Sequence, residues 1–208
     1  LEILSKSVWQ RKVRGKVIKT PAKIKTEKLS KAVAGKQFRG KLLNFQKMGL
    51  DFLLKSSGNA LLADDMGLGK TVQTLAYIAS EKQSLPVLVI APLVTLTNWQ
   101  REIERFMKKK SRNGRIVENG VPTITSIRSG KRGEIPYSDF YLINYELLHK
   151  RQDDLAKLKI RTLVCDEVQH LRSKTTQKYK AVKMLASVKS IKYRVGLSGT
   201  PIYNHGSE

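Results

Sequence analysis

One short run of this sequence combines the residue types that bind phosphate. The run "DDMGLGKT" covers residues 64–71 and holds two glycines, a lysine and a threonine within five positions. Glycines let a backbone curl with its N–H groups facing inward, and a helix that begins at such a loop adds positive potential. Lys70 then has the reach for terminal phosphates, and the Thr71 hydroxyl is suited to hold Mg²⁺. The general phosphate-loop pattern asks for glycine in place of Asp64, so an ordinary glycine turn before a solvated lysine is the competing interpretation.

Two further runs place polar side chains directly after apolar segments. In the run "RTLVCDEVQH" an apolar segment is followed directly by Asp166 and Glu167, a pair that suits a magnesium ligand and a group that polarises an attacking water. Plain charges at a helix N-terminus are the alternative interpretation of that pair. In the run "YRVGLSGTPIYN" an apolar segment is followed by Ser198, Gly199 and Thr200, on a turn that a proline stiffens. At the tip of a neighbouring strand, this turn would sense the same phosphate site.

The elements that must position these residues alternate along the chain. Predicted strands cover 59–63, 86–91, 123–127, 140–144, 161–165 and 193–197, and predicted helices cover about 42–54, 70–81, 95–109 and 175–188. Continuous Val/Ile/Leu runs separated by helices indicate a parallel sheet that is covered on both faces. The stretch 108–133 is predicted to be the one long irregular connection. The fold class is therefore α/β and doubly wound, with ligands expected beyond the carboxyl ends of the strands.

The composition bounds the partners of the chain more than its fold. Its 208 residues include 40 lysines and arginines against 17 acidic residues, which gives a formal net charge of +23. A field of this sign attracts polyanions, so nucleic acid is the leading candidate partner and an anionic membrane surface the second. Cys165 is the single cysteine, which excludes an internal disulfide, and the longest apolar stretch, 86–96, is too short to span a membrane as a helix. The chain starts at Leu1 rather than Met, and we expect it to be a piece of a longer protein.

The charge is unevenly distributed. Residues 1–40 hold twelve lysines and arginines against two acidic residues, and they show neither a helical nor a strand period. A solvated lead-in segment and an arm that contacts nucleic acid are equally compatible with this pattern. We therefore expect a basic N-terminal extension over residues 1–40 and a folded domain over residues 41–208.

Taken together and in this order, the motifs resemble the first RecA-like lobe of superfamily two helicases, most closely the Swi/Snf-like double-stranded DNA translocases. That family's first motif reads close to D-E-M-G-L-G-K-T, so Asp64 matches the family. The resemblance covers about residues 40–208 and continues through "LLNFQKMGLDFLL" (42–54), "APLVTLTNWQREIERF" (91–106), "INYELL" (143–148), "DEVQHLRS" (166–173) and "LSGTPIYN" (197–204). It implies a P-loop NTPase of the RecA-like type, a three-layer sandwich with a mainly parallel sheet, present as a single lobe.

The resemblance also implies roles for individual residues. The implied ATP-binding residues are Gln46, which would read adenine, and Asp64, Gly67, Leu68, Gly69, Lys70 and Thr71. Thr71 and Asp166 would hold Mg²⁺ with ATP, and the implied catalytic residues are Lys70, Asp166 and Glu167, with Glu167 activating water. The implied coupling residues are Ser198, Gly199 and Thr200, and the implied nucleic-acid contacts are Thr95, Arg128 and Lys131. Trp99 is interpreted as a core residue, as its type favours.

The implied activity is that of a DNA-dependent ATPase, the motor lobe of a translocase that grips duplex DNA through its phosphate backbone. A second RecA-like lobe of the same polypeptide would supply an arginine finger, and because no such motifs follow Thr200, this chain alone is expected to bind ATP weakly and hydrolyse it slowly. The alternatives are an RNA helicase, a restriction-enzyme motor subunit, or a non-catalytic basic DNA-binding module on a P-loop scaffold. No membrane association is expected. The location would be nuclear in a eukaryote and cytoplasmic in a bacterium, an archaeon or a phage-infected cell.

Overall fold

Strands and helices alternate through the domain, as the sequence predicts. The structure is a computed structural model that describes residues 32–199 apart from residues 112 and 114. Its strands are β1 (Asn59–Leu62), β2 (Val87–Ala91), β3 (Lys109–Lys110), β4 (Ile116–Val117), β5 (Ile124–Ile127), β6 (Phe140–Asn144), β7 (Thr162–Cys165) and β8 (Tyr193–Leu197). Its helices are α1 (Asn44–Lys55), α2 (Lys70–Ser80), α3 (Leu93–Phe106), α4 (Tyr145–Lys157), α5 (Gln177–Ala186) and a 3₁₀ turn, Val168–Leu171. Among these described helices, none is long and apolar enough to cross a membrane.

Six strands form one parallel sheet in the order β1-β8-β7-β2-β6-β5. The central strands β7, β2 and β6 are buried at every position and read "TLVC", "VLVIA" and "FYLIN". Strands that helices cover on both faces need apolar side chains on both sides, which explains these continuous runs. The predicted α/β, RecA-like layering with a mainly parallel sheet is therefore confirmed. Because all six strands run the same way, their carboxyl ends meet at one edge, here called the carboxyl edge.

The sheet separates two apolar cores. Alternate residues of β2 contribute to each, since Val89 lies in the core under α1, α2 and α3, and Ile90 lies in the core under α4 and α5. Side chains of a strand point to opposite faces in turn, so one continuous apolar run supplies both cores. Trp99 of α3 is fully buried in the first core, which confirms its interpretation as a core residue.

Two predictions of local structure were wrong. Helix α4 was not predicted. Its buried positions are Tyr145, Leu148, Arg151 and Leu155, and the charged Arg151 interrupts the apolar period that indicates a helix. The stretch 108–133 is not wholly irregular either, since β3 and β4 pair as an antiparallel hairpin within it. Two-residue strands are too short to show any period in a sequence.

Residues 32–40 pack on the domain although the sequence assigns them to the basic extension. Phe38 is buried, pairs with Met107 in an isolated antiparallel bridge and stacks on Phe106 with ring centroids 5.6 Å apart. The Gly35 N–H donates to Ser80 Oγ at 2.9 Å. The rest of the predicted extension, residues 1–31, lies outside the described residues, and the division at residue 40 stays a prediction.

Candidate nucleotide site and adjoining groove

The loop between β1 and α2 turns through two glycines in the left-handed conformation. Their φ angles are 83° at Gly67 and 70° at Gly69, a region that side chains rarely adopt. A Cβ at Gly69 would lie only 2.6 Å from Nε2 of Gln46, so this glycine lets the predicted adenine-reading side chain rest against the loop. A Cβ at Gly67 would meet nothing within 4 Å, which shows that this part of the loop faces open space. The predicted ATP-binding residues Leu68 and Gly69 therefore lie on one accessible loop at the carboxyl edge.

Lys70, the first residue of α2, is held across this loop by main-chain oxygens. Its Nζ donates to the carbonyl of Asp64 at 2.8 Å and to that of Asp65 at 3.0 Å. An ammonium group has three protons to donate, and these two bonds leave one for an added acceptor. The lysine is therefore positioned at the loop rather than extended into solvent. Thr71 follows it, half-buried, at the second position of α2.

A buried glutamine that sequence reasoning missed ties the two ends of the loop together. Gln73 of α2 is fully buried, and its Nε2 donates to Asp64 Oδ2 and to the Leu68 carbonyl, both at 3.1 Å. Both partners are acceptors, so the orientation of the amide is fixed. Its Oε1 has no hydrogen-bond partner within the described part of the chain and lies where a side chain at Gly49 of α1 would collide. Asp64 thus has a structural role in the loop, and no local pattern in the sequence distinguishes Gln73 from other polar helix residues.

The carboxylate of Asp166 follows β7 and is fixed by two donors. Its Oδ2 accepts a hydrogen bond from Trp99 Nε1 at 2.9 Å, and its Oδ1 accepts one from the Glu167 N–H at 3.0 Å. Burial raises the pKa of Asp166, while the bond from Trp99 acts in the opposite direction, and the Lys70 ammonium also favours the charged form. The predicted metal ligand is therefore a partly desolvated, oriented carboxylate near the phosphate loop.

Glu167 connects this carboxylate to the turn after β8. Its backbone has φ 52° and ψ 59°, a left-handed conformation that costs a residue with a side chain about 1–3 kcal/mol. Its Oε2 accepts a hydrogen bond from Gln169 Nε2 at 2.6 Å, and Gln169 Oε1 accepts one from Ser198 Oγ at 2.9 Å. A Cβ at Gly199 would lie 2.6 Å from Met66 Cγ, so the same turn rests on the phosphate loop. The structure thus brings together all three motifs as far as Gly199; the predicted coupling residue Thr200 lies outside the described residues.

A groove of about 650 Å³ opens beside this site, between the first turns of α3 and α4 and the end of β5. Leu93, Leu96 and Arg128 are among the residues that line it. Of the predicted nucleic-acid contacts, Arg128 faces the groove and Lys131 is exposed on the loop that follows β5. Thr95 is not among the residues that line the groove, and its N–H and its hydroxyl both donate to the Pro92 carbonyl, at 3.0 and 2.9 Å. Its assignment as a nucleic-acid contact stays a prediction.

Comparisons with known proteins agree with this arrangement. The family described as the SNF2-related domain matches residues 45–208. The chain belongs to the SNF2-related family. The chromatin structure-remodeling complex subunit snf21 of Schizosaccharomyces pombe is 36% identical over 175 residues, covering 80% of this chain and 14% of that relative. The YwqA protein of Bacillus subtilis is 32% identical over 197 residues, covering 88% of this chain and 20% of its own length.

A solved structure matches the SNF2-related lobe as well. The Sulfolobus solfataricus SWI2/SNF2 ATPase core in complex with dsDNA superimposes with a TM-score of 0.62 at 30% identity, covering 83% of this chain and 35% of that chain. The resemblance to the first RecA-like lobe of the Swi/Snf-like family is therefore confirmed. The chain spans a fifth or less of the length of the two curated relatives named above.

The loop that carries Arg128 and Lys131 in this SNF2-related lobe is anchored from below by α4. The buried Arg151 donates to the main-chain oxygens of Ser129 at 3.3 Å and Gly133 at 3.0 Å. Its Nε also donates to Asp154 Oδ2 at 2.9 Å, in an ion pair with little exposure on either side. A guanidinium fork can hold two carbonyls and a carboxylate at once, which a lysine cannot. Sequence reasoning missed Arg151 because a lone arginine on a charged segment gives no signal.

Proposed function

We propose that this chain is the ATP-binding lobe of an ATP-driven motor that moves along double-stranded DNA. The observation that supports this most is the hydrogen-bonded series from Glu167 through Gln169 to Ser198, next to a phosphate loop that already holds its lysine. This geometry joins a candidate water-activating carboxylate to a turn on the next strand. The names of the snf21 relative and of the Sulfolobus structure, which refer to chromatin remodeling and to dsDNA, support the choice of duplex DNA.

The residues around the phosphate loop fit ATP with Mg²⁺. In this proposal Gln46 reads the adenine, and the loop N–H groups with Lys70 bind the phosphates. The Thr71 hydroxyl and the Asp166 carboxylate are hard oxygen donors of the kind that Mg²⁺ prefers, and the open space at Gly67 leaves room for the phosphates. When bound, Mg²⁺ neutralises part of the charge on the phosphates.

The chemical step is assigned to Glu167. Its carboxylate accepts a hydrogen bond from a water molecule and orients that water towards the terminal phosphate. Because Gln169 is shared with Ser198, a new partner for Glu167 changes the bonding of the turn after β8. That turn, with Gly199 against Met66 and with the predicted contribution of Thr200, is the proposed coupling element.

Two parts of the motor are proposed from family membership. A second RecA-like lobe supplies an arginine finger, a contribution worth roughly 10³ to 10⁵ in rate, so the 208-residue chain alone hydrolyses ATP very slowly. Contact with the DNA backbone is assigned to Thr95, Arg128 and Lys131. Binding through phosphates is expected to weaken by about 0.9 log units per log unit of salt for each phosphate neutralised, and an affinity insensitive to salt would contradict this assignment.

The deciding experiment measures ATP turnover by the longest natural form of the protein with duplex DNA, single-stranded DNA, RNA or no nucleic acid. We expect stimulation chiefly by duplex DNA and its loss in Glu167→Gln, which keeps the hydrogen-bonding shape but removes the base. Stimulation by RNA instead would favour an RNA helicase. A complete lack of turnover under all four conditions would favour the non-catalytic DNA-binding module. Fast turnover by the isolated chain would remove the need for a second lobe.

A further inference from the structure

The side chain of Trp99 makes a polar contact that packing alone does not require. Trp99 is fully buried in the core under α3, among apolar side chains. Buried indole N–H groups need an acceptor, and here the acceptor is Oδ2 of Asp166, 2.9 Å away. The only polar side-chain atom of Trp99 therefore bonds to Asp166, the proposed metal ligand.

A second aromatic residue fixes the same aspartate from the other face of the sheet. The Tyr145 hydroxyl donates to the main-chain oxygen of Asp166 at 2.7 Å. Tyr145 belongs to the core under α4, whereas Trp99 belongs to the core under α3. Asp166 is therefore clamped between two aromatic side chains that approach from opposite sides, one on its carboxylate and one on its backbone.

Both aromatic residues belong to elements that form the groove. Leu96 and Gln100, which flank Trp99 on α3, line the groove, and so does the largely buried Tyr145. The Tyr145 ring also stacks on His170, another lining residue, with centroids 5.3 Å apart. The helix that carries Trp99 thus forms one wall of the groove, Tyr145 lies at its lining, and both side chains donate a hydrogen bond to Asp166.

We propose that Trp99 and Tyr145 are positioning residues that link occupancy of the groove to metal binding at Asp166. Nucleic-acid backbone in the groove and a divalent cation at Asp166 then favour each other's binding. This inference rests on the proposed function, because it takes the groove as the nucleic-acid site and Asp166 as the metal ligand. Linkage makes the effect reciprocal, so the cation must tighten nucleic-acid binding by the same factor.

The test measures binding of Mn²⁺, as a paramagnetic substitute for Mg²⁺, from the loss of its free-ion electron paramagnetic resonance signal. The longest natural form is saturated with a non-hydrolysable ATP analogue, and Mn²⁺ is titrated with and without a duplex oligonucleotide. We expect duplex to tighten Mn²⁺ binding by about fivefold or more, the usual lower range for coupled sites. Trp99→Phe replaces the indole by a smaller aromatic ring without a donor, and Tyr145→Phe removes only the hydroxyl. In both variants the factor should fall below about twofold.

Tyr77→Phe is the matched control. Tyr77 of α2 is also fully buried, and its hydroxyl has no hydrogen-bond partner within the described residues. It is not among the residues that line the groove. It should keep the full coupling factor. A second readout uses the fact that the chain has only two tryptophans: in Trp9→Phe, emission from Trp99 should change when duplex is added.

The outcomes separate this inference from the function on which it rests. Retention of the full factor in both Trp99→Phe and Tyr145→Phe, with coupling intact in the parent, would overturn the inference alone. If Trp9→Phe binds duplex but the fluorescence of Trp99 does not change, the inference would be overturned as well. If the parent protein failed to bind Mn²⁺ with the nucleotide analogue, or bound it without any effect of duplex, the inference would fall, and the former result would also overturn the proposed function.

Discussion

The phosphate loop and the groove lie along the same carboxyl edge, but they are built differently. In the loop, polar groups bind one another before any ligand arrives: Lys70 holds two carbonyls, and Gln73 holds Asp64 and Leu68. The groove has a largely apolar lining, and among the described residues that form it Arg128 is the one lysine or arginine. Hydrogen bonds between polar groups therefore fix the geometry of the loop, whereas apolar side chains and Arg128 form the groove.

This difference shows where the charge of +23 acts. A nucleotide has few atoms, so its site needs groups fixed to within a fraction of an ångström. A polyanion has a charge at every step, so cations distributed over a surface attract it without close alignment. We therefore expect substitutions in the loop to change chemistry steeply and substitutions around the groove to change affinity gradually.

The largest effect is expected from Lys70→Ala. It removes the donor that the loop holds for the phosphates, and loss of one such positioned donor typically lowers the rate by about 10² to 10³. ATP turnover by the longest natural form with duplex DNA should fall by that factor, while duplex affinity without nucleotide changes little. Lys82→Ala, just beyond the other end of α2, is the control and should behave as the parent does. Near-normal ATP turnover in Lys70→Ala would contradict the proposal that this loop binds the phosphates of ATP.

A smaller effect is expected from Gln73→Leu. The substitution keeps the buried volume but leaves the partly exposed acceptors of Asp64 and Leu68 without their donor, and loss of such hydrogen bonds costs about 1–3 kcal/mol. Nucleotide affinity, measured by calorimetry, should fall by roughly 5- to 150-fold because the loop ends separate, and the melting temperature should also decrease. Unchanged nucleotide binding in a folded Gln73→Leu protein would show that the loop keeps its shape without the brace.

Arg151→Lys tests the groove, because Arg151 holds the loop that follows β5. The charge near Asp154 remains, but a single ammonium cannot hold both Ser129 and Gly133, so the loop with Arg128 and Lys131 loses its anchor. Duplex affinity should fall only about two- to fivefold, a gradual loss of electrostatic contact, with nucleotide affinity unchanged. Arg132→Lys, whose partner Asp153 is exposed, serves as the control and should have no measurable effect. A loss of nucleotide binding in Arg151→Lys, measured without DNA, would mean that the loop after β5 supports the nucleotide site directly.

The same contrast explains how far sequence reasoning reached. Strand positions and the three motifs follow from apolar runs and from glycine, hydroxyl and carboxylate spacing, and the loop was predicted together with Lys70 and Thr71. The residues that brace the site were not predicted, because Gln73, Gln169 and Arg151 act through contacts with main-chain or side-chain atoms brought close only by folding. Trp99 was correctly interpreted as core, but its bond to Asp166 spans 67 positions and leaves no local pattern.

The smallest expected effect concerns Cys165, the last residue of β7 and the immediate neighbour of Asp166. Burial raises the pKa of its thiol to about 12, so the reactive thiolate is almost absent at pH 8 in the folded protein. Ellman's reagent should therefore modify Cys165 only after unfolding in guanidinium. Because the folded pKa lies above the usual value, the folded state holds this proton more tightly, and the contribution to stability declines as the pH rises from about 9 towards 12. Rapid labelling of the native protein at pH 8 would show that the end of β7 opens to solvent. The nucleotide site beside it would then not be the rigidly fixed region that we contrast with the groove.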